Sequence, residues 1–190
     1  VGEKLVALVA TSDTHTCIPI QGSGTFAVEA TISTLLPRDG KLLVLVNGAY
    51  GERIRSICDY MGRACEAISC PENEPVDPAA LDVALGADSA ITHVAVIHCE
   101  TTTGILNPVE KIAEVTASHG RALLIDAMSC FGAIQLDARN VCFDAVVASS
   151  NKCIEATPGV GFCIARTDAL EKTRGNSPSL CLDLYDQWKA

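Results

Sequence analysis

The chain has 190 residues, with 14 Lys and Arg against 23 Asp and Glu, and a formal charge of −9 argues against a nucleic-acid or anionic-membrane surface. Hydrophobic residues make up 48% and charged residues 19%, which excludes disorder and is enough for one sizeable core in a single domain. No uninterrupted aliphatic run, Leu42 to Val46 among them, approaches the ~20 residues of a membrane helix, and no basic-then-apolar leader opens the chain, so a soluble cytoplasmic protein is expected.

In chain order, the first short apolar run is Thr16 to Ile20, and Gln21-Gly22-Ser23-Gly24-Thr25 leads from it directly into a helical segment, Phe26 to Leu36. Lys41 to Val46 is a second apolar run. In Arg53 to Met61, Ile54, Ile57, Cys58 and Met61 fall at i, i+3, i+4 and i+7, the stripe of an amphipathic helix. Pro71 to Pro78 reads as a surface loop, and Asp77-Pro78 opens a helix that stops at Gly86. After His93 to Ile97, Asn107-Pro108 predicts an N-cap and an N1 proline for a helix with the stripe Val109, Ile112, Ala113 and Thr116, closed by His119-Gly120. Ala122 to Ile125, Ala145 to Ala148 and Val160 to Ala165 complete six buried strands, and Leu184, Tyr185 and Trp188 mark a last amphipathic stretch.

Strand and helix alternating in this way predict an α/β fold, a three-layer sandwich with a mostly parallel sheet, whose ligands lie beyond the carboxyl ends of the strands. The ten cysteines include no CxxC pair, so no metal site is expected; several lie in apolar segments, where a reduced thiol acts as a small hydrophobe.

The strand ends carry the polar residues. A glycine-rich turn running into a helix presents free N–H groups and a positive dipole end, to which Ser23 and Thr25 add hydroxyls; this is a phosphate site or an ordinary capped turn. Asp126 ends an apolar strand, where a carboxylate needs a cationic partner or several donors, unless it only caps the next turn. His98-Cys99-Glu100-Thr101-Thr102-Thr103-Gly104 packs three hydroxyls and a carboxylate after another strand, with His98 read as hydrogen-bonded locally. Ser149-Ser150-Asn151-Lys152 places a lysine just past a buried strand, where it is either solvated or a nucleophile. Together, a phosphate cradle, a buried Asp and a strand-end Lys on one sheet edge point to pyridoxal phosphate, which needs an amine, a carboxylate for its ring nitrogen and a phosphate anchor. Tyr50, in a Gly-bounded turn, can cover the ring.

The segments QGSGTFAVEA, LPRDGKLLVLVNGAYGER, HCETTTGILNP, LLIDAMSCFGA, ASSNKCIEATPGVGF and NSPSLCLDLYDQW, in this order from Gln21 to Trp188, resemble the class V aminotransferases of the fold type I pyridoxal-phosphate enzymes. The resemblance is strongest to the branch that moves the amine of 2-aminoethylphosphonate to pyruvate, giving phosphonoacetaldehyde and L-alanine. It implies that Lys152 forms the Schiff base and moves the proton, and that Asp126 pairs with the ring nitrogen. It further implies that Ser23, Gly24 and Thr25 hold the phosphate, Tyr50 stacks on the ring, Thr101 bonds the ring oxygen or groups beside it, and Asn151 contacts the phosphate side. Asn151 and Tyr50 stand where cysteine desulfurases typically carry His, and where the alanine:glyoxylate branch usually carries Gln and Trp. Residues 1–190 are thus expected to be one cofactor-binding large domain of a homodimer, truncated at both ends. The resemblance implies a smaller C-terminal domain, with a substrate-gripping arginine, outside this sequence. The rival readings are another class V reaction, such as alanine:glyoxylate transfer, and a non-catalytic pyridoxal-phosphate-binding fragment.

Overall fold

In the computed structural model, which describes residues 1–190, the chain runs α1 (Gly2–Val6), β1 (His15–Gln21), α2 (Gly24–Leu35), β2 (Lys41–Val46), α3 (Ala49–Met61), β3 (Ala64–Ser69), α4 (Pro78–Ala87), β4 (Ile91–Ile97), α5 (Val109–Ser118), β5 (Ala122–Asp126), β6 (Ala145–Ser149), β7 (Val160–Arg166), α6 (Thr167–Glu171) and α7 (Leu184–Lys189). All six expected strands are present. The seventh, β3, carries the pattern Ala-Cys-Glu-Ala-Ile-Ser at the sheet edge; none of its residues is fully buried, so it lacks the continuous apolar run that marks the central strands. No helix is long and apolar enough to cross a membrane.

The strands form one sheet in the order β1-β7-β6-β5-β4-β2-β3. From β3 to β6 every pairing is parallel, whereas β7 is antiparallel to both β6 and β1. Two reversals restore direction, so β1 runs with β6 and the turn after β1 opens on the same edge as the ends of β2, β4, β5 and β6. The mostly parallel sheet holds, with an antiparallel pair at one side.

Side chains alternate across each strand, and both faces are buried. Leu43, Leu45, Val94, Val96, Leu123, Ile125, Val146 and Ala148 join one core with α4 and α5. Leu42, Val44, Val46, Ala95, Ile97, Leu124, Ala145 and Val147 join the other, beneath α2 and α3. Three layers result, and the cysteines Cys58 and Cys163 sit in the second core as fully buried free thiols.

Local signals set the helix ends with one exchange of roles. Asp77 caps α4, accepting from Ala79 N–H at 2.9 Å with Pro78 in the first turn. Asn107 does not cap α5. Pro108 occupies the N-cap position, and the Asn107 amide faces inward, donating to Ile97 O at 2.8 Å and accepting from Val76 N–H at 3.0 Å and from Asn47 Nδ2 at 2.9 Å. The Asn47 and Asn107 amides are buried, and satisfying buried groups outweighs a solvent-exposed cap. His119 and Gly120, the latter at φ 64°, close the helix as expected.

Helix α2 lies on β6 and β7, and the contact is close because Gly161 has no side chain. A Cβ there would lie 2.8 Å from Ala27 Cβ and 3.0 Å from the Ser23 carbonyl oxygen. Gly161→Ala is therefore expected to lower stability by about 1–3 kcal/mol through displacement of α2, read as a lower urea midpoint at unchanged m-value.

Candidate functional site

The turn after β1 is held from behind. Gly22 takes φ 133°, a conformation that side chains rarely adopt, and its N–H donates to Gly159 O at 2.8 Å. That bond ties the glycine turn to the loop that carries Lys152. Ser23 then stands at the N-cap of α2 with extended backbone and no side-chain capping bond, so the first-turn N–H groups keep their donor capacity for a ligand. A Cβ on Gly24 would overlap the thioether of Met128, which closes the turn against the strand carrying Asp126.

Asp126 is 6% exposed at the end of β5, and Oδ1 accepts from Met128 N–H at 2.8 Å. Burial pushes its carboxyl up from the usual 3.8 to about 6; Met128 N–H, Arg53 and Lys152 pull it down, and Glu100 adds to the rise. The side chain both caps the next turn and faces the cavity, so the two readings of this residue coexist.

Lys152 follows β6 in a loop folded on itself. Ser150 N–H donates to Val160 O at 3.0 Å, Ala156 N–H to Ser150 O at 2.8 Å, and Ser150 Oγ to Thr157 O at 2.6 Å. Glu155, at φ 57°, is the one non-glycine residue with a left-handed backbone, in the turn where its N–H meets Lys152 O at 2.8 Å. Lys152 itself is exposed and forms no ion pair.

These groups line one cavity of about 490 Å³, bounded by Ser23, Gly24, Thr25, Tyr50, Asp126 and Lys152, with Asn151 among the other lining residues. Its volume lies within the ~300–1,000 Å³ of small-molecule sites. Seven of the eight expected site residues therefore converge. Thr101 does not: it is exposed on the loop after β4 and outside the lining. His98 contributes main-chain bonds, donating to Asp126 O at 2.8 Å and accepting from Asn107 N–H at 2.8 Å, while its ring lines a separate cavity with Asn107 and Asn140.

Arg53, Met128 and Ser149 also line the cavity and were not anticipated. Arg53 carries a signal that sequence could have offered. Helix α3 begins at Ala49, four residues earlier than the apolar stripe suggests, so Tyr50 and Arg53 stand at i and i+3 on one face. The guanidinium lies 4.6 Å from the Tyr50 ring centroid, and Nη1 donates to Thr25 Oγ1 at 3.4 Å. A helix drawn from Arg53 leaves Tyr50 in a loop and hides the pair.

The arrangement fits pyridoxal phosphate by its donor set: uncapped helix N–H groups with two hydroxyls and a nearby guanidinium for a phosphate, a buried carboxylate lacking a cation, and an unpaired amine.

The architecture is shared with solved aminotransferases. A pyridoxamine-pyruvate aminotransferase from Mesorhizobium loti superposes with a TM-score of 0.87 at 27% identity, over 97% of this chain and 48% of that one. Residues 2–180 match the family described as aminotransferase class-V, and the chain belongs to that family. Among curated relatives, it is 57% identical over 98% of its length to 2-aminoethylphosphonate--pyruvate transaminase 2 of Burkholderia lata, and 56% identical over 97% to 2-aminoethylphosphonate--pyruvate transaminase of Pseudomonas aeruginosa. The chain spans about half the length of these relatives, 50% of each.

The raised Asp126 pKa has a consequence for the ligand-free chain. Folding lifts this pKa from 3.8 to about 6, so the folded state holds the proton more tightly than the unfolded one. The contribution to stability is complete below about pH 4 and is lost as pH rises through 6. Asp126→Asn keeps the acceptor for Met128 N–H and removes the charge. Ligand-free Asp126→Asn is expected to be more stable than the parent at pH 8, by an amount on the order of 3 kcal/mol or less, the gain vanishing toward pH 4. Urea titrations across pH test this; a gain that does not depend on pH refutes it.

Proposed function

We propose that the protein is a pyridoxal-phosphate-dependent aminotransferase that passes the amine of 2-aminoethylphosphonate to pyruvate, giving phosphonoacetaldehyde and L-alanine. The observation that carries the reading is the 54–57% identity, over nearly the whole chain, to curated relatives bearing that activity in their names. The cavity supports it chemically, because its lining supplies each group such a reaction asks of this half of the molecule.

In this reading residues 1–190 are the cofactor-binding large domain. Ser23, Thr25 and the first-turn N–H groups of α2 bind the phosphate, and Asn151 reaches the same side. Asp126 holds the ring nitrogen as a cation, and the cation in turn offsets the cost of its buried charge. Tyr50 covers the ring and limits access of water. Pyridoxal phosphate, when bound, supplies the electron sink and carries the amine between substrates. Lys152 moves the proton: Nζ would take one from the amine-bearing carbon of the donor and pass it to the cofactor, and on the return half would carry one back to the carbon that becomes C2 of alanine. Thr101, outside the cavity lining, takes a part only through a rearrangement of its loop or a larger assembly. A cytoplasmic homodimer belongs to the same reading; Phe26 and Val160, 50% and 41% exposed beside the glycine turn and the lysine loop, are apolar surface suited to cover by a partner.

Two measurements test the reading. Borohydride reduction of the pyridoxal-phosphate-loaded protein followed by peptide mapping is expected to place the label on Lys152, and label confined to other lysines overturns the assignment. An amino-donor screen on the whole protein is expected to show pyruvate-dependent consumption of 2-aminoethylphosphonate, reduced roughly 10²–10⁴-fold or more in Lys152→Ala. Consumption of another donor in its place would reassign the substrate within the class.

A further inference from the structure

Glu100 is fully buried, with a relative exposure of 0%, and the reaction outlined above gives it no task. A buried carboxylate is retained only where hydrogen bonds repay its desolvation, and the partners of this one lie on the element that bears Tyr50. Oε2 accepts from Tyr50 N–H at 3.2 Å and from Gly51 N–H at 3.4 Å, two of the free donors in the first turn of α3. Oε1 accepts from Thr102 N–H at 3.2 Å and Thr102 Oγ1 at 3.0 Å, and Thr102 Oγ1 accepts from Ala49 N–H at 3.4 Å. An acid from a distant loop thus caps a 13-residue helix whose own N-cap, Gly48, has no side chain.

The capping loop is tied together by its own main-chain hydrogen bonds. Glu100 N–H donates to Ile105 O at 2.9 Å, Gly104 N–H donates back to Glu100 O at 2.8 Å, and Cys99 bridges Leu106, so the segment after β4 is a tight hairpin. A second clasp joins the same two loops, since Asn47 and Asn107 exchange side-chain amide bonds at 2.9 and 3.1 Å. Gly48 lies between the clasps and allows the close approach: a Cβ on it would overlap the Glu100 side chain and sit 2.8 Å from Thr102 Oγ1. One turn along α3, Arg53 stacks on the Tyr50 ring and reaches Thr25.

We propose that Glu100 is a positioning residue: by capping the first turn of α3 it fixes where Tyr50 and Arg53 stand in the cofactor cavity, and it thereby sets the affinity for pyridoxal phosphate. The second half of this statement rests on the functional reading above; the first half does not. Glu100 also faces Asp126 electrostatically across the ends of β4 and β5, where Arg53 and Lys152 are the cations acting on Asp126.

Two arms separate the halves. Without cofactor, amide hydrogen exchange in Glu100→Ala is expected to lose protection at Tyr50 and Gly51 by tenfold or more, with core strands β4 and β5 unchanged. Equal protection at those two amides overturns the positioning role. With pyridoxal phosphate titrated as the probe, Glu100→Ala is expected to bind at least tenfold more weakly. In a Tyr50→Ala, Arg53→Ala background the same change is expected to cost less than threefold, because its route runs through those two side chains. Fully additive losses overturn that route. Should Glu100→Ala not fold, Glu100→Gln serves: the pH midpoint of pyridoxal-phosphate binding that depends on Asp126 is expected to fall, and an unchanged affinity together with an unchanged midpoint refutes the proposal. Failure of the parent chain to bind pyridoxal phosphate overturns the functional reading and the affinity claim, and leaves the exchange result to decide the positioning of α3.

Discussion

A carboxylate kept out of water at the end of β5 is the constraint around which the rest of the site is arranged. Asp126 sits on the middle strand of seven, with one short hydrogen bond from Met128 N–H and no cation in direct contact. That environment favours the neutral acid, and the ligand-free protein gives up stability to keep the group where a cationic ligand can meet it. The neighbours follow from the parallel order. Strands β4 and β6 flank β5, so their carboxyl ends bring the Glu100 hairpin to one side of Asp126 and the Lys152 loop to the other.

Loops that carry chemistry are usually the most mobile part of a domain, and here cross-links between them oppose that tendency. The bond from Gly22 N–H to Gly159 O joins the glycine turn to the lysine loop. The Asn47–Asn107 amide pair joins the loop before Tyr50 to the hairpin after β4. The Asn pair uses buried polar groups whose loss would leave a partner unsatisfied, so the clasp between those two loops is costly to break. Placement matters because misplacement of reacting groups by ~1 Å costs on the order of 100-fold in rate.

Much of this was legible in the chain. The apolar runs of β2, β4, β5, β6 and β7 marked buried strands because both faces of a strand inside the sheet are covered, and Asp77-Pro78 and His119-Gly120 marked helix ends because capping is satisfied within a few residues. The glycine turn, Asp126 and Lys152 stood at strand ends, and in a parallel sheet that placement alone sends them to a common edge. Where expectation and structure part, the deciding contacts are distant in sequence. Asn107 has the local chemistry of a cap and serves instead as a clasp, since Ile97 O, Val76 N–H and Asn47 compete for it in the fold.

By itself the sequence determined the alternation of strand and helix, the positions of the polar strand ends and the membership of the family, because periodicity, capping and ordered motifs are properties of neighbours along the chain. Only the tertiary structure decided that β7 reverses between β1 and β6, which returns the glycine turn to the edge shared by Asp126 and Lys152. It also decided that β3 pairs at the open edge, that Thr101 faces outward, and that Glu100 caps a helix 50 residues before it. The physical reason is the same in each case: a hydrogen-bonding group or a strand edge has many eligible partners along the chain, and which one it meets is settled when the packed layers exclude water from the others.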